Sequence, residues 1–179
     1  MNDFLKKRRY RQQWKRLSPE DDAILLMIKG IYTHVGELEY ADCIVLHIVE
    51  KNSGSIAGEI SLRLGESPAM FYLGHIGYHV DVPYRGNHFA QRACVLCRPF
   101  LLECGMQSAV ITTDDDNIAS IRTCEGLGCE WESAVAVPMW CIDKFQISTK
   151  KRRYIFFVGD MERTCVNGNT EPLKQEETI

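Results

Sequence analysis

Residues 76–93 read Ile-Gly-Tyr-His-Val-Asp-Val-Pro-Tyr-Arg-Gly-Asn-His-Phe-Ala-Gln-Arg-Ala, and their pattern decides how the chain is organised. An extended start is stopped by Pro83, and a short basic turn containing Gly86 follows. Apolar residues then recur at helical spacing at Ala90, Ala93, Cys94, Cys97, Leu101 and Cys104. A helix that opens directly after a strand and a turn presents backbone N–H groups that no residue within it accepts, and its dipole adds positive potential there. Arg85 sets a fixed cation beside those groups, and Gly86 lets a phosphate approach the backbone without a Cβ in the way. Neither G-x-x-x-x-G-K-S/T nor G-x-G-x-x-G occurs, which excludes a Walker loop and a dinucleotide fingerprint. The residues alone point to a phosphate-bearing ligand at the start of this helix.

Outward from it, strands alternate with helices. Residues 10–17 read as a first strand. Ser18-Pro19-Glu20-Asp21 offers an N-cap, a proline at N1 and first-turn acids, predicting a helix through Lys29. Strands are expected over 43–50 and 55–64, joined by a hairpin at Lys51-Asn52-Ser53-Gly54, and over a longer extended run at 71–82. The helix over 88–104 ends at Gly105, and Pro99 inside it predicts a kink or an early stop. A strand at 108–113, a helix at 117–126 and strands at 129–137 and 154–158 complete a mixed sheet with helices on its faces.

At 179 residues, with 45% hydrophobic and 25% charged residues, the chain suits one globular domain over 1–160. The polar, aperiodic stretch 161–179 reads as a tail. A net charge of −3 argues against wholesale nucleic-acid coating, although a basic segment covers 1–16 and KKRRY occurs at both 6–10 and 150–154. No run approaches the roughly 18 apolar residues of a membrane span, and no apolar segment follows the basic N-terminus as in a secretory signal. A cytoplasmic location without membrane or nucleic-acid partners is the expectation. Eight cysteines include one C-x-x-C, Cys94 and Cys97, but four zinc ligands cannot be assembled, so buried thiols and no metal are expected.

The segment resembles the GNAT superfamily of acyl-CoA-dependent N-acyltransferases. The family's pyrophosphate loop is Arg or Gln, two residues, Gly, one residue, then Gly or Ala; here it reads Arg85-Gly86-Asn87-His88-Phe89-Ala90, with His88 replacing the inner glycine. Val80-Asp81-Val82-Pro83 looks like the family's splayed fourth strand. Ile111-Thr112-Thr113 looks like the end of its fifth, and residues 116–128 are similar to the helix after it. The likeness is good over about 59–137. It implies a GNAT-like α/β (α+β mixed) fold with a central mixed, mostly antiparallel sheet, strands four and five splayed, and helices on both faces.

The resemblance further implies acetyl-CoA as co-substrate. Backbone groups of Val80 and Val82 would hold its pantetheine arm. The amides of Asn87, His88, Phe89 and Ala90, with Arg85 and Gly86, would hold its pyrophosphate, and Asn117 and Ser120 would add hydrogen bonds. Acyl transfer also needs a base for the amine and a donor on the thioester oxygen. His75 lies where relatives often place a carboxylate base, and Glu59 on the preceding strand is its rival, ahead of His79 and Asp81. Many relatives carry a tyrosine where this chain has Cys124, which reads here as packing. The acceptor, a small-molecule or peptide amine, would enter past 31–42, with Glu37, Glu39 and Asp42, and past 139–149. The implied reaction is direct attack of a primary amine on acetyl-CoA in a ternary complex. A non-catalytic acyl-CoA sensor or scaffold is the alternative, and a homodimer is compatible with either.

Overall fold

A computed structural model of the chain describes residues 2–38 and 41–159. It opens with α1 (Asp3–Leu17) where the sequence predicts a strand. Lysine, arginine and glutamine are good helix formers, and Tyr10 and Trp14 stand four residues apart, so one helical stripe carries both. Their rings meet Phe100 edge-on at 6.0 and 5.1 Å. Ser18, in the left-handed region at φ 45°, then ends this helix instead of starting another. Asp21 Oδ1 accepts the N–H groups of Ala23 and Ile24 and turns the chain into β1 (Ile24–Val35), which replaces the predicted second helix. Five β-branched residues in that strand outweigh the helix-start signal before it.

β2 (Ala41–Glu50) and β3 (Ile56–Leu64) form the predicted hairpin. The first part of the run at 71–82 is instead α2 (Pro68–Leu73), capped by Ser67 and closed by Gly74 at φ 71°. Only Ile76–Val80 extends as β4, and Val82 lies in a 3₁₀ turn. α3 (Phe89–Glu103) runs through Pro99 unbroken, because Cys97, Phe100 and Leu101 around the proline are fully buried and their packing outweighs the lost hydrogen bond. β5 (Ser108–Thr113), α4 (Ile118–Gly126) and β6 (Glu130–Ala136) follow as expected. α5 (Met139–Phe145) has no counterpart in the sequence reading, and β7 (Lys150–Phe157) begins four residues early.

The seven strands lie in the order β1-β2-β3-β4-β5-β7-β6, antiparallel except for β4 and β5. Ile44, Leu46, Ile48, Ile60, Leu62, Ile76 and Ile111 point to one face, where α1, α3 and α4 bury them in the main core. On the other face Met70 of α2 and Phe145 of α5 join a smaller cluster with Leu38 and Ala41. The parallel pair β4–β5 is registered at Ile76↔Ile111 alone, so the two strands part after one rung.

Charge is spent inside the fold. Asp42, 3% exposed, accepts from the Tyr10 phenol at 2.7 Å and the His34 N–H at 3.1 Å, and pairs with the Lys6 ammonium at 2.7 Å. Burial pushes its carboxyl up, but these three donors outweigh burial and hold it below the usual carboxylate range. Asp42 is thereby occupied and does not face an acceptor; Glu39 and the side chain of Glu37 lie outside the described residues. A group depressed in the folded state stabilises above its unfolded pKa, and that stability disappears as pH falls through the folded one. Asp42→Ala is therefore expected to cost about 3 kcal/mol at neutral pH. In urea titrations at several pH values the gap to the wild type should hold above about pH 5 and close in acid.

The second KKRRY is neutralised in the same way. Lys151 pairs with Asp114 at 2.6 Å, Lys150 and Arg152 with Asp115 at 2.6 and 2.8 Å, and Arg153 with Glu132.

Candidate active site

β4 and β5 separate beyond Ile76, and backbone bookkeeping shows what that exposes. The Arg63 N–H donates to His75 O and the Asp81 N–H to Ala57 O, so the odd-numbered residues of β4 turn their backbone groups to β3. Tyr78 and Val80 turn theirs toward the gap. Val80 O accepts from Arg85 Nε at 3.0 Å.

The turn after β4 is built to leave donors pointing outward. Tyr84 and Arg85 close the 3₁₀ turn through Asp81 O and Val82 O. Asn87 Nδ2 donates back to Tyr84 O at 3.1 Å, and Gly86 takes φ 86°. His88 then starts α3 at φ 58° with no side chain capping the helix, whose first turn holds no acid. Gln91 Nε2 ties that turn to α4 through Gly126 O at 2.7 Å. The first N–H groups of α3 thus face solvent beside Arg85, a cradle for an anion.

A groove of about 610 Å³ runs from this cradle to the gap. Of the residues expected to hold a cofactor, it brings together Val80, Arg85, Gly86, His88, Phe89, Ala90, Asn117 and Ser120. Val82 is in the turn and exposed, and Asn87 bends away to brace the loop. Asn117 Oδ1 caps α4 by accepting from the Ser120 N–H at 3.1 Å. The left-handed His88 explains the departure noted in the loop: the position calls for the conformation a glycine adopts freely. His88→Gly is expected to raise stability by about 0.5–1 kcal/mol, read as a higher melting temperature.

The candidate bases separate. His75 lies at the opposite end of β4 in a second cavity of about 830 Å³, walled by Phe71, Tyr72 and Trp140. Its Nδ1 accepts from the Val110 N–H at 3.0 Å and its Nε2 donates to Glu66 Oε1 at 3.0 Å, so both nitrogens are occupied. Glu59 and His79 are direct partners across β3 and β4, on the sheet face away from α3. Glu59 pairs with Lys29 and stands 3.6 Å from His47 Nδ1; His79 Nε2 is 3.1 Å from Asp81. His47, Glu59 and His79 form one cross-strand row ending at the gap.

Tyr78 is the residue the sequence reading missed. Its phenol lines the groove and stands 2.9 Å from Ser120 Oγ and 4.0 Å from Cys124 Sγ. The signal was parity: Tyr78 is two residues before Val80 and shares its side of the strand.

Residues 3–130 match the family model for the acetyltransferase (GNAT) domain, and the chain belongs to that family. Solved structures agree on the fold. The microcin C7 self-immunity acetyltransferase MccE, determined with acetyl-CoA and AMP, superposes at a TM-score of 0.51 with 20% identity, covering 64% of this chain and 61% of its own. The ribosomal-protein-S5-alanine acetyltransferase from Vibrio fischeri gives 0.52 at 19% identity, covering 66% and 63%. A GNAT-family acetyltransferase from Bacillus anthracis gives 0.50 at 16%, covering 64% and 66%. The chain thus spans less than two thirds of the first two. No curated protein matches its sequence. No described helix is long and apolar enough to cross a membrane, and no metal-binding cluster occurs among the described residues.

Proposed function

We propose that this protein transfers an acetyl group from acetyl-CoA to a primary amine by direct attack in a ternary complex. The observation that carries the reading is the groove joining an uncapped helix start, with Arg85 beside it, to the gap between β4 and β5. The α3 N–H groups and Arg85 suit a pyrophosphate, and the backbone at Val80 suits the amide-bearing arm as an added strand would. The Val80 N–H, turned into the gap, suits the developing oxyanion. Glu59, next to His79 in the cross-strand row, is the base that frees the amine, with the proton crossing the short interval through His79 or water. The acceptor reaches the gap from the sheet face that carries this row, where Lys29 offsets Glu59 and Asp81 is the acid that favours a cation.

Calorimetry with CoA and thiol release from acetyl-CoA with a panel of amines and short peptides test the reading. Absence of CoA binding would end it, and binding without turnover on any amine would favour a sensor. Glu59→Gln is expected to lower kcat about 10- to 100-fold with the KM for acetyl-CoA unchanged.

A further inference from the structure

Tyr78 occupies the fork of the groove. It comes two residues after Ile76, the last rung shared with β5, and its side chain crosses the gap toward α4. An arm that starts at the cradle and follows β4 backward past Val80 therefore ends against this phenol. The residue facing it on α4 is Cys124, whose small side chain leaves room for the ring; a large side chain there would displace Tyr78. We propose that Tyr78 donates its hydroxyl hydrogen bond to the sulfur that leaves from acetyl-CoA, and so sets how readily the C–S bond breaks. This rests on the acetyl-CoA reading above.

The chemistry balances without further reagents. The amine nitrogen bonds to the carbonyl carbon, the C–S bond breaks, and its electron pair goes to sulfur. The ammonium proton leaves through the base to solvent. The thiolate accepts the Tyr78 O–H hydrogen bond and takes its own proton from solvent on release. With CoA bound, the phenol turns its proton from Ser120 O, 3.4 Å away, to the sulfur, and Ser120 Oγ, at 2.9 Å, donates to the phenol oxygen in return. Burial first, and the neighbouring Cys124 second, push the Tyr78 phenol well above its ordinary value. It therefore keeps its proton and acts as a fixed donor. Cys129 shares a hydrogen bond with Cys124, and Cys94 is buried behind them, so those thiols form the floor and not the reacting edge.

The test needs no acceptor. CoA carrying ¹³C beside its sulfur is bound to the protein, and the thiol is titrated by NMR. In the wild type the bound thiol should titrate about one pH unit lower, a tenfold change, than in Tyr78→Phe. Cys124→Ala should leave it unmoved, and combining Tyr78→Ala, which clears the space of the ring, with Cys124→Tyr, which supplies a phenol from α4, should restore most of the shift. A thiol that titrates alike in wild type and Tyr78→Phe overturns the proposal while leaving CoA binding intact. Failure of the wild type to bind CoA overturns the acetyl-CoA reading, and the proposal with it. Should Tyr78→Phe not fold, wild-type protein labelled at tyrosine Cζ answers the same question. CoA must move the Tyr78 resonance differently from desulfo-CoA, and equal shifts overturn the assignment.

Discussion

Gly58→Ala is expected to lower stability by about 3 kcal/mol, roughly 6–12 °C in melting temperature for a chain of this size. A Cβ at position 58 would lie 2.1 Å from His79 O and 2.9 Å from Val80 Cα, both backbone atoms that cannot swing aside. β3 and β4 press together there, because Gly58 is the partner of Val80, at the end of β4 that faces the gap. Any relief moves β4, and with it the Val80 N–H and the edge of the gap. The variant that folds should therefore also turn over acetyl-CoA at least tenfold more slowly, measured well below its melting temperature. Normal melting together with normal turnover would show that β4 yields without cost.

Arg85→Glu should raise the dissociation constant for CoA about 30-fold, because it removes a charge-assisted donor and sets like charge against the pyrophosphate. Arg85→Gln keeps donors without the charge and should lose about fivefold. The difference between the two should shrink in high salt, since the site is open to solvent. Calorimetry with CoA at two salt concentrations reads all three numbers. Unchanged affinity in Arg85→Glu would place the pyrophosphate elsewhere.

The turn from Val80 to Ala90 was legible in the sequence because its signals are local. A proline stop, a glycine with positive φ and a run of helical spacing each act within a few residues, and all agree. The first thirty residues misled for the converse reason. Ser18-Pro19-Glu20-Asp21 carries the chemistry of a helix start, yet the packing of Tyr10 and Trp14 on Phe100, about ninety residues away, makes α1 helical and leaves Ser18 as its end. His75, His79 and Asp81 share parity, but parity does not say how far along the strand the gap opens. The single rung at Ile76↔Ile111 decides that, and it sets His75 on the closed side. Gly58 was out of reach because it matters through a cross-strand neighbour that only the folded register supplies; parity set Tyr78 on the side of Val80, but its partners on α4 came only with the fold.

The acids Asp114 and Asp115 follow the last residue of β5 and precede the cap of α4, and their partners Lys150, Lys151 and Arg152 all sit on β7. This clasp ties one bank of the gap to β7, its neighbour in the sheet, while the other bank, β4, is paired along its length with β3 and reaches α4 through Tyr78. High ionic strength would weaken these partly exposed pairs and with them the hold of β7 on the β5 bank.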